Sequence, residues 1–400
     1  MKILQVIPYF APAWHYGGPV SAAYNLSKEL VKMGHSVTVY STDVPTPEYR
    51  IKENEETIDR INIRRFKNLS NGIASKHKIF LSLSMISAIR NNLKEFDIVH
   101  MLEYRTIQNV IARHYAKKHR IPYILQAHGS VETYFQKGAL KRLFDCIWGY
   151  RILKDASRLI ALTSAEAKQY QTMGVSEDRI IIVPNGINLS EFENLPQRGE
   201  FRRKYGLNHN LKIILYLARI NRIKGPDLLV KSFAELSKEM ADVKLVITGP
   251  DDGYLPILRK LLKELGSEEK VLFTGPLYGR DKLEAYADAD VYVLPSRYET
   301  FPVGVLEACA CGVPVIVTDR CGIADIIDGE AGLVVPYDEE HLQRALIRIL
   351  GDDKIRLQFG ERGKLLVREK FNWGKIAEQV EAVYQSLLTE GPEQSRSTSH

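Results

Sequence analysis

Short apolar runs alternate along this chain with longer stretches of helical period. Runs rich in Val, Ile and Tyr, bounded by Gly, Pro, Asn or Asp, predict strands at Lys2–Ile7, Val37–Ser41, Ile61–Phe66, Ile98–His100, Tyr123–Ala127, Arg158–Leu162 and Ile180–Val183. Between several of them, apolar positions recurring every three or four residues predict helices at Val20–Met33, Leu81–Leu93, Thr106–His119, Lys137–Lys154 and Ser164–Gln171. The second half repeats the pattern. Strands are expected at Lys212–Leu217, Lys244–Thr248, Val271–Thr274, Val291–Leu294, Val315–Thr318 and Leu333–Val335. Helices are expected at Asp227–Glu239, Tyr254–Leu265, Arg280–Ala287, Val305–Ala310 and Glu339–Leu350. From Leu350 the chain reads as helical to Leu388, with a break near Phe371–Gly374. Strand–helix alternation over both halves predicts an α/β protein of two doubly wound parallel-sheet domains, with helices on both faces of each sheet. The polar stretch Ser190–Gly206 is expected to link them. Residues 391–400 are small and polar and are expected to be disordered.

Composition narrows the class. The 400 residues are 45% hydrophobic and 26% charged, which excludes collagen, global disorder and a small cysteine-stapled scaffold. No run reaches the about 18 apolar residues that a spanning helix needs. The best, Ile79–Ile89, is short and contains three serines. The apolar start Met1–Ile7 meets Pro8 at once, too early for a signal-peptide core. Cys309-Ala-Cys311 has the wrong spacing for a zinc knuckle, so Cys146, Cys309, Cys311 and Cys321 read as reduced thiols. The net charge of +6 hides an asymmetry: residues 1–185 carry 26 Lys/Arg against 16 Asp/Glu, and the remainder is mildly acidic. A basic half suits anionic partners.

Open parallel sheets bind ligands at the carboxyl ends of their strands, so the loops after strands carry the candidate chemistry. The loop after the first strand enters a helix through Gly17-Gly18, where backbone amides can approach an anion; a plain turn is the alternative. Arg219 and Lys224 bracket the loop after Leu217. Two cations beside a helix start oppose its dipole unless a diphosphate lies between them; two solvated charges are the alternative. In Pro295-Ser-Arg-Tyr-Glu299-Thr-Phe-Pro-Val-Gly-Val-Leu-Glu307, Glu299 belongs to a loop and Glu307 to the first helical turns. The amides of Val303, Gly304 and Val305 then point out of a helix start. Glu307 suits a ribose diol and Glu299 a sugar hydroxyl. Helix-start acids, or a glycosidase acid pair, are the other readings.

This setting, with Cys311-Gly-Val-Pro-Val after it, resembles the signature of glycosyltransferase family 4, retaining enzymes of the GT-B fold with two Rossmann-like domains facing a central cleft. The resemblance extends to Gly17-Gly18, Gly34-His35, Gln126-Ala-His128-Gly129, Val183-Pro-Asn-Gly-Ile187, Arg219…Lys224-Gly225 and the helix after Trp373. It implies an acceptor domain over residues 1–190, a donor domain over 205–371, and a last helix, 373–390, packing back on the first domain, with Phe371–Trp373 as a hinge. It implies that Arg219 and Lys224 stabilise a leaving diphosphate and that Glu307 binds the donor ribose. Glu299 and the backbone of Phe301–Val305 would hold the donor sugar and phosphate, His128 would lie near the reacting sugar, and Gly17 and Gly18 would let the first domain close on the phosphates. The loops at Gly249-Pro250 and Pro276-Leu277-Tyr278 would border the base. Ala218 and Pro302 stand where the family often has glycine.

The implied reaction moves a hexose from a nucleotide sugar, UDP-linked first and GDP-mannose second, to a hydroxyl of a glycan or lipid-linked cell-surface polysaccharide precursor. No metal-ligand cluster and no Asp-x-Asp triplet after a strand is evident, so metal-independent turnover without a cofactor is expected. Tyr134–Lys154 mixes cations with aromatic and aliphatic residues, which suits an anionic membrane surface; an ordinary helix packed on the sheet is the alternative. A cytoplasmic enzyme, peripheral at the inner face of the plasma membrane, is expected. A sucrose- or glycogen-type synthase or a nucleotide-sugar epimerase is the nearest rival. An NAD dehydrogenase lacks its early glycine fingerprint. A nucleic-acid binder lacks a recognition motif, and no nucleic-acid partner is expected.

Overall fold

The computed structural model describes residues 1–46, 49–72, 74, 79–131 and 138–389. By its internal contacts the chain forms two units. Met1–Gly186 joins with the chain from Trp373 onward, and Ile187–Asn372 forms the second.

The first unit holds an eight-stranded sheet of β1 (Lys2–Val6), β2 (Ser36–Thr42), β3 (Glu55–Ile58), β4 (Ile61–Phe66), β5 (Ile98–Leu102), β6 (Tyr123–Gln126), β7 (Arg158–Ala161) and β8 (Ile180–Ile182). Their order is β3-β4-β2-β1-β5-β6-β7-β8. Every pairing is parallel except β3 with β4. β3 is the strand the pattern did not predict. Its sequence, Glu-Glu-Thr-Ile, is an exposed edge with no buried face, and its hairpin turns on Asp59 and Arg60 at φ 48° and 64° rather than on glycine. Central strands are apolar on both faces because helices cover both. The Trp373–Thr389 helix supplies part of that cover. Trp373, Ile376, Ala377, Val380, Val383 and Tyr384 recur at helical spacing and pack with Ala22, Ala23, Leu26 and Leu30 of the Gly18–Lys32 helix over Ile3 and Val37. Polar contacts pin it: His35 Nε2 lies 2.8 Å from Glu381, and the buried His100 Nδ1 lies 2.7 Å from the Tyr384 hydroxyl.

The second unit holds β9 (Lys212–Leu217), β10 (Val243–Thr248), β11 (Val271–Gly275), β12 (Val291–Leu294), β13 (Val315–Thr318) and β14 (Gly332–Val335), all parallel, ordered β11-β10-β9-β12-β13-β14. The stretch expected to be a linker is a built part of this unit. Leu189–Phe192 forms a 3₁₀ turn and Glu200–Lys204 a helix, with Phe201 and Arg202 buried. Composition misled because the polar residues are spent internally. The Arg202 guanidinium reaches Asp290 at 3.2 Å and the carbonyls of Asp288 and Leu211 at 3.0 and 2.6 Å. The chain leaves the first unit at Gly186 and re-enters it at Trp373. At these crossings the Ile187 amide donates to the Phe371 carbonyl at 2.7 Å. The boundary thus falls inside the Phe371–Trp373 segment expected to be a hinge.

Candidate active site

In each sheet the order of strands reverses beside the first strand of the unit, β1 against β5 and β9 against β12. Such switch points leave a crevice beyond the carboxyl ends of the strands. In the second unit the sequence candidates gather there. Arg219 follows β9 and is exposed. Asn221 accepts the Lys224 amide at 3.0 Å and caps the turn that carries Lys224. Gly225 is at φ 66°, and a Cβ on it would lie 1.9 Å from the Pro295 carbonyl oxygen, so glycine alone allows the β9 and β12 loops to touch. Arg297 ties the same two loops, donating at 2.8 and 2.6 Å to Asp227 and from its amide to the Ile223 carbonyl at 2.7 Å.

Lys224 Nζ forms an ion pair with Glu299 Oε2, the two side chains 19% and 13% exposed. Glu299 is fixed through its backbone: its amide donates to the Arg320 carbonyl at 3.2 Å and its carbonyl accepts the Gly322 amide at 2.7 Å. Burial, then the neighbouring Arg219 guanidinium, push the Lys224 ammonium down to about 8; contact with the Glu299 carboxylate favours the charged form. The Val303–Ala310 helix follows, with Pro302 at its N-cap, no side-chain cap and no acid in its first turn. The amides of Val303 and Gly304 are the ones such a helix leaves unpaired, and its dipole end is uncompensated. One expectation needs correction here. The Val305 amide is occupied by the Pro302 carbonyl at 3.1 Å, because the first turn closes on itself. The Phe301 side chain is buried, its ring 6.1 Å from that of Phe371, which leaves its backbone as the part expected to face a ligand.

Glu307 is oriented by two residues that sequence reasoning missed. Lys282 donates to its Oε1 at 2.8 Å and the Tyr286 hydroxyl to its Oε2 at 3.0 Å. A carboxylate has about four acceptor positions, so two remain for a vicinal diol. Lys282 and Tyr286 stand four apart on one face of the Gly279–Asp288 helix; that spacing was visible, but not which carboxylate the face meets. Gly304 lies against the Tyr292 hydroxyl, which a Cβ would approach to 2.8 Å. Leu277 is half-buried in the loop after β11, beside Tyr278, which is 72% exposed.

Gly17, Gly18 and His128 belong to the first unit. Gly17, at φ 83°, caps the Gly18–Lys32 helix without a side-chain bond, and a Cβ on either glycine would meet nothing within 4 Å. The Gly17 amide is taken by the Trp14 carbonyl at 2.9 Å, which leaves Gly18 as the outward donor. Nearby, the Tyr9 hydroxyl donates to Glu103 at 3.0 Å, across the β1–β5 switch point. His128 follows β6 at φ 50°, with both ring nitrogens buried and lacking a hydrogen-bond partner among the described residues. Burial, then His100, push its imidazole down to about 3, so it is neutral at ordinary pH.

Residues 16–191 match the family model Glycosyltransferase Family 4, and residues 197–366 match Glycosyl transferases group 1. The chain is 29% identical to an uncharacterized glycosyltransferase of Methanocaldococcus jannaschii, over 97% of this chain and 99% of that protein. Among solved structures it resembles the sucrose-phosphate synthase of Thermosynechococcus elongatus, with TM-score 0.78, 23% identity, and coverage of 98% of this chain and 100% of that one. It also resembles Anabaena HepE in complex with UDP and glucose, with TM-score 0.76, 17% identity, and coverage of 97% and 100%. The two halves, each matched by its own model and folded as parallel-sheet α/β units, identify the chain as a glycosyltransferase of family 4 with the GT-B fold.

Proposed function

We propose that this glycosyltransferase moves a hexose, with retention of configuration, from a nucleotide sugar to a hydroxyl of a glycan or lipid-linked precursor. One observation carries the reading. At the β9–β12 switch point, Arg219, the Lys224–Glu299 pair, the uncapped Val303–Ala310 helix and the oriented Glu307 form a single constellation with a place for each part of a sugar nucleotide. The diphosphate would take Arg219, Lys224 and the amides of Val303 and Gly304, the ribose diol Glu307, and the sugar Glu299. The base would lie by Leu277. A structural neighbour that holds UDP and glucose supports uracil as the base. As the anomeric bond breaks, charge grows on the departing phosphate, which takes the acceptor's proton. Fixed cations stabilise that charge more than the ground state. With two cations and a helix end at hand, turnover is expected to survive EDTA. Titration calorimetry should give UDP binding at micromolar Kd with GDP weaker. No heat with any nucleoside diphosphate would overturn the donor assignment. Product analysis with labelled UDP-glucose reads the configuration and separates transfer from epimerisation.

The acceptor side is proposed to meet an anionic bilayer. The part of Tyr134–Lys154 before Gly138 lies outside the described residues. The remainder, Gly138–Asp155, runs as one helical stretch with a π-turn at Asp145–Gly149, and it carries apolar side chains on both faces. Toward the unit it turns Ile152 and Leu153, with Asp145, paired with Arg105 at 2.7 Å, and Gly149, where a Cβ would strike the Tyr104 hydroxyl. Outward it turns Leu140, Leu143, Ile147, Trp148 and Tyr150, flanked by the exposed Arg142, Arg151 and Lys154. Exposed apolar side chains rimmed by cations suit the boundary of anionic headgroups and acyl chains. No described helix is long and apolar enough to cross a membrane. Flotation with phosphatidylglycerol vesicles at low salt should carry the protein upward, and Leu143→Asp with Ile147→Asp should abolish this. Wild-type protein staying at the bottom of the gradient would end the proposal.

A further inference from the structure

We propose that Glu166 is a positioning residue for His128, holding the turn that aims the imidazole. Ala127–Ser130 is a tight turn closed by the Ser130 amide on the Ala127 carbonyl at 3.0 Å, with His128 and Gly129 both left-handed, at φ 50° and 80°. A non-glycine residue there is disfavoured and persists where the surroundings impose it. Glu166 imposes it. Its Oε1 accepts the Gly129 amide at 2.5 Å and its Oε2 the Leu162 amide at 2.7 Å, so one carboxylate staples the β6 end to the β7 end. Glu166 is fully buried in the first turn of the Ser164–Thr172 helix, where Thr163 accepts its amide at 3.2 Å. An acid buried this deeply would be replaced by an apolar residue at no loss if it only filled space. It is kept where the amide beside His128 requires a strong acceptor.

The carboxylate accepts both amides strongly only when ionised, because the hydroxyl oxygen of the neutral acid is a weak acceptor. Burial pushes it up to about 7, the two amide bonds opposing and the Glu103 charge adding to the rise. The titratable groups facing it are Glu103 after β5 and Tyr170 on its own helix, with neutral His128 at the turn it holds. Protonation takes one acceptor from the pair and loosens the turn. The His128 environment therefore changes with the protonation of Glu166, although His128 itself does not titrate in that range.

The experiment is an NMR titration of the full chain carrying ¹³Cε1-histidine, from about pH 5.5 to 8.5, with the His128 signal assigned by its absence in His128→Asn. It should shift with a midpoint near 7 in wild type and stay flat in Glu166→Gln, whose amide group must face one N–H donor with another. In that variant, exchange of the Gly129 amide should quicken at least tenfold. UDP release from UDP-glucose should fall about 10- to 100-fold in kcat, while the Kd for UDP changes less than twofold. Unchanged Gly129 exchange or kcat in the variant, or a loss confined to UDP affinity, would overturn the proposal. If Glu166→Gln does not fold, Glu166→Asp, whose shorter carboxylate cannot reach both amides, is read by the same Gly129 exchange and kcat measurements. The activity readout rests on the donor reading above. A wild type that neither binds UDP nor releases it sinks that reading, while the NMR result still judges Glu166.

Discussion

Lys224→Ala is expected to lower kcat for UDP-sugar turnover about 100- to 1000-fold, the usual cost of removing one preorganised donor to a developing anion. Two things are lost together. On the proposed reading the departing diphosphate loses a fixed positive charge, and Glu299 loses its ion-pair partner. Lys224→Arg should recover little, because a planar fork does not occupy the space of the largely buried ammonium that pairs with Glu299. The pH profile is the sharper check. Burial and Arg219 hold the free-enzyme ammonium near 8 rather than near the usual lysine value. The group is charged below that pH and neutral above it, so log(kcat/KM), which reports the free enzyme, should fall as pH rises through about 8. A bound diphosphate favours the charged form, so the limb in kcat should lie higher. Turnover of Lys224→Ala within tenfold of wild type would remove lysine from the mechanism. A flat kcat/KM profile to pH 10 would mean that the Glu299 contact outweighs burial and Arg219, leaving Lys224 charged throughout.

Arg202→Ala is expected to destabilise the second unit by about 2–3 kcal/mol, below the about 3–5 kcal/mol that follows when a buried charge loses its only counterpart, because Asp290 keeps its pair with Arg198. Arg202 is buried, and so are Asp288 and Asp290. Asp288 also accepts the amides of Gly199 and Arg202, and Asp290 accepts the Ile213 amide at 2.8 Å. Each carboxylate thus keeps backbone partners when the guanidinium goes, which sets the loss below that of a bare charge. Thermal or urea unfolding of the variant should show an early transition for this unit with the m-value little changed. Stability within 1 kcal/mol of wild type would mean that the Arg202 guanidinium is dispensable to the Ser190–Gly206 stretch.

The sequence and the structure divide these matters in a definite way. Strand positions were legible because central parallel strands are apolar on both faces and stop at Gly, Pro or Asp, a pattern written locally. β3 was not legible, because an edge strand of Glu-Glu-Thr-Ile has no buried face to declare itself. The Ser190–Gly206 segment was misread because polarity counts charges without showing that Arg202 meets Asp288 and Asp290, which lie far along the chain. Arg219, Lys224, Glu299 and Glu307 could be named because each sits in a loop or helix start directly after a strand. Lys282 and Tyr286 could not be named, since nothing within their own helix states which carboxylate they face.

The sequence alone therefore determined the class of the fold, the candidate loops that follow its strands and the family, all set by local order and spacing. Tertiary structure decided which residues orient Glu307, namely Lys282 and Tyr286. It decided which acid neutralises Lys224, which buried carboxylate holds the His128 turn, and which face of Gly138–Asp155 looks outward. These depend on contacts between residues distant in sequence. Their free energies come from burial and from charge partners that no local pattern encodes.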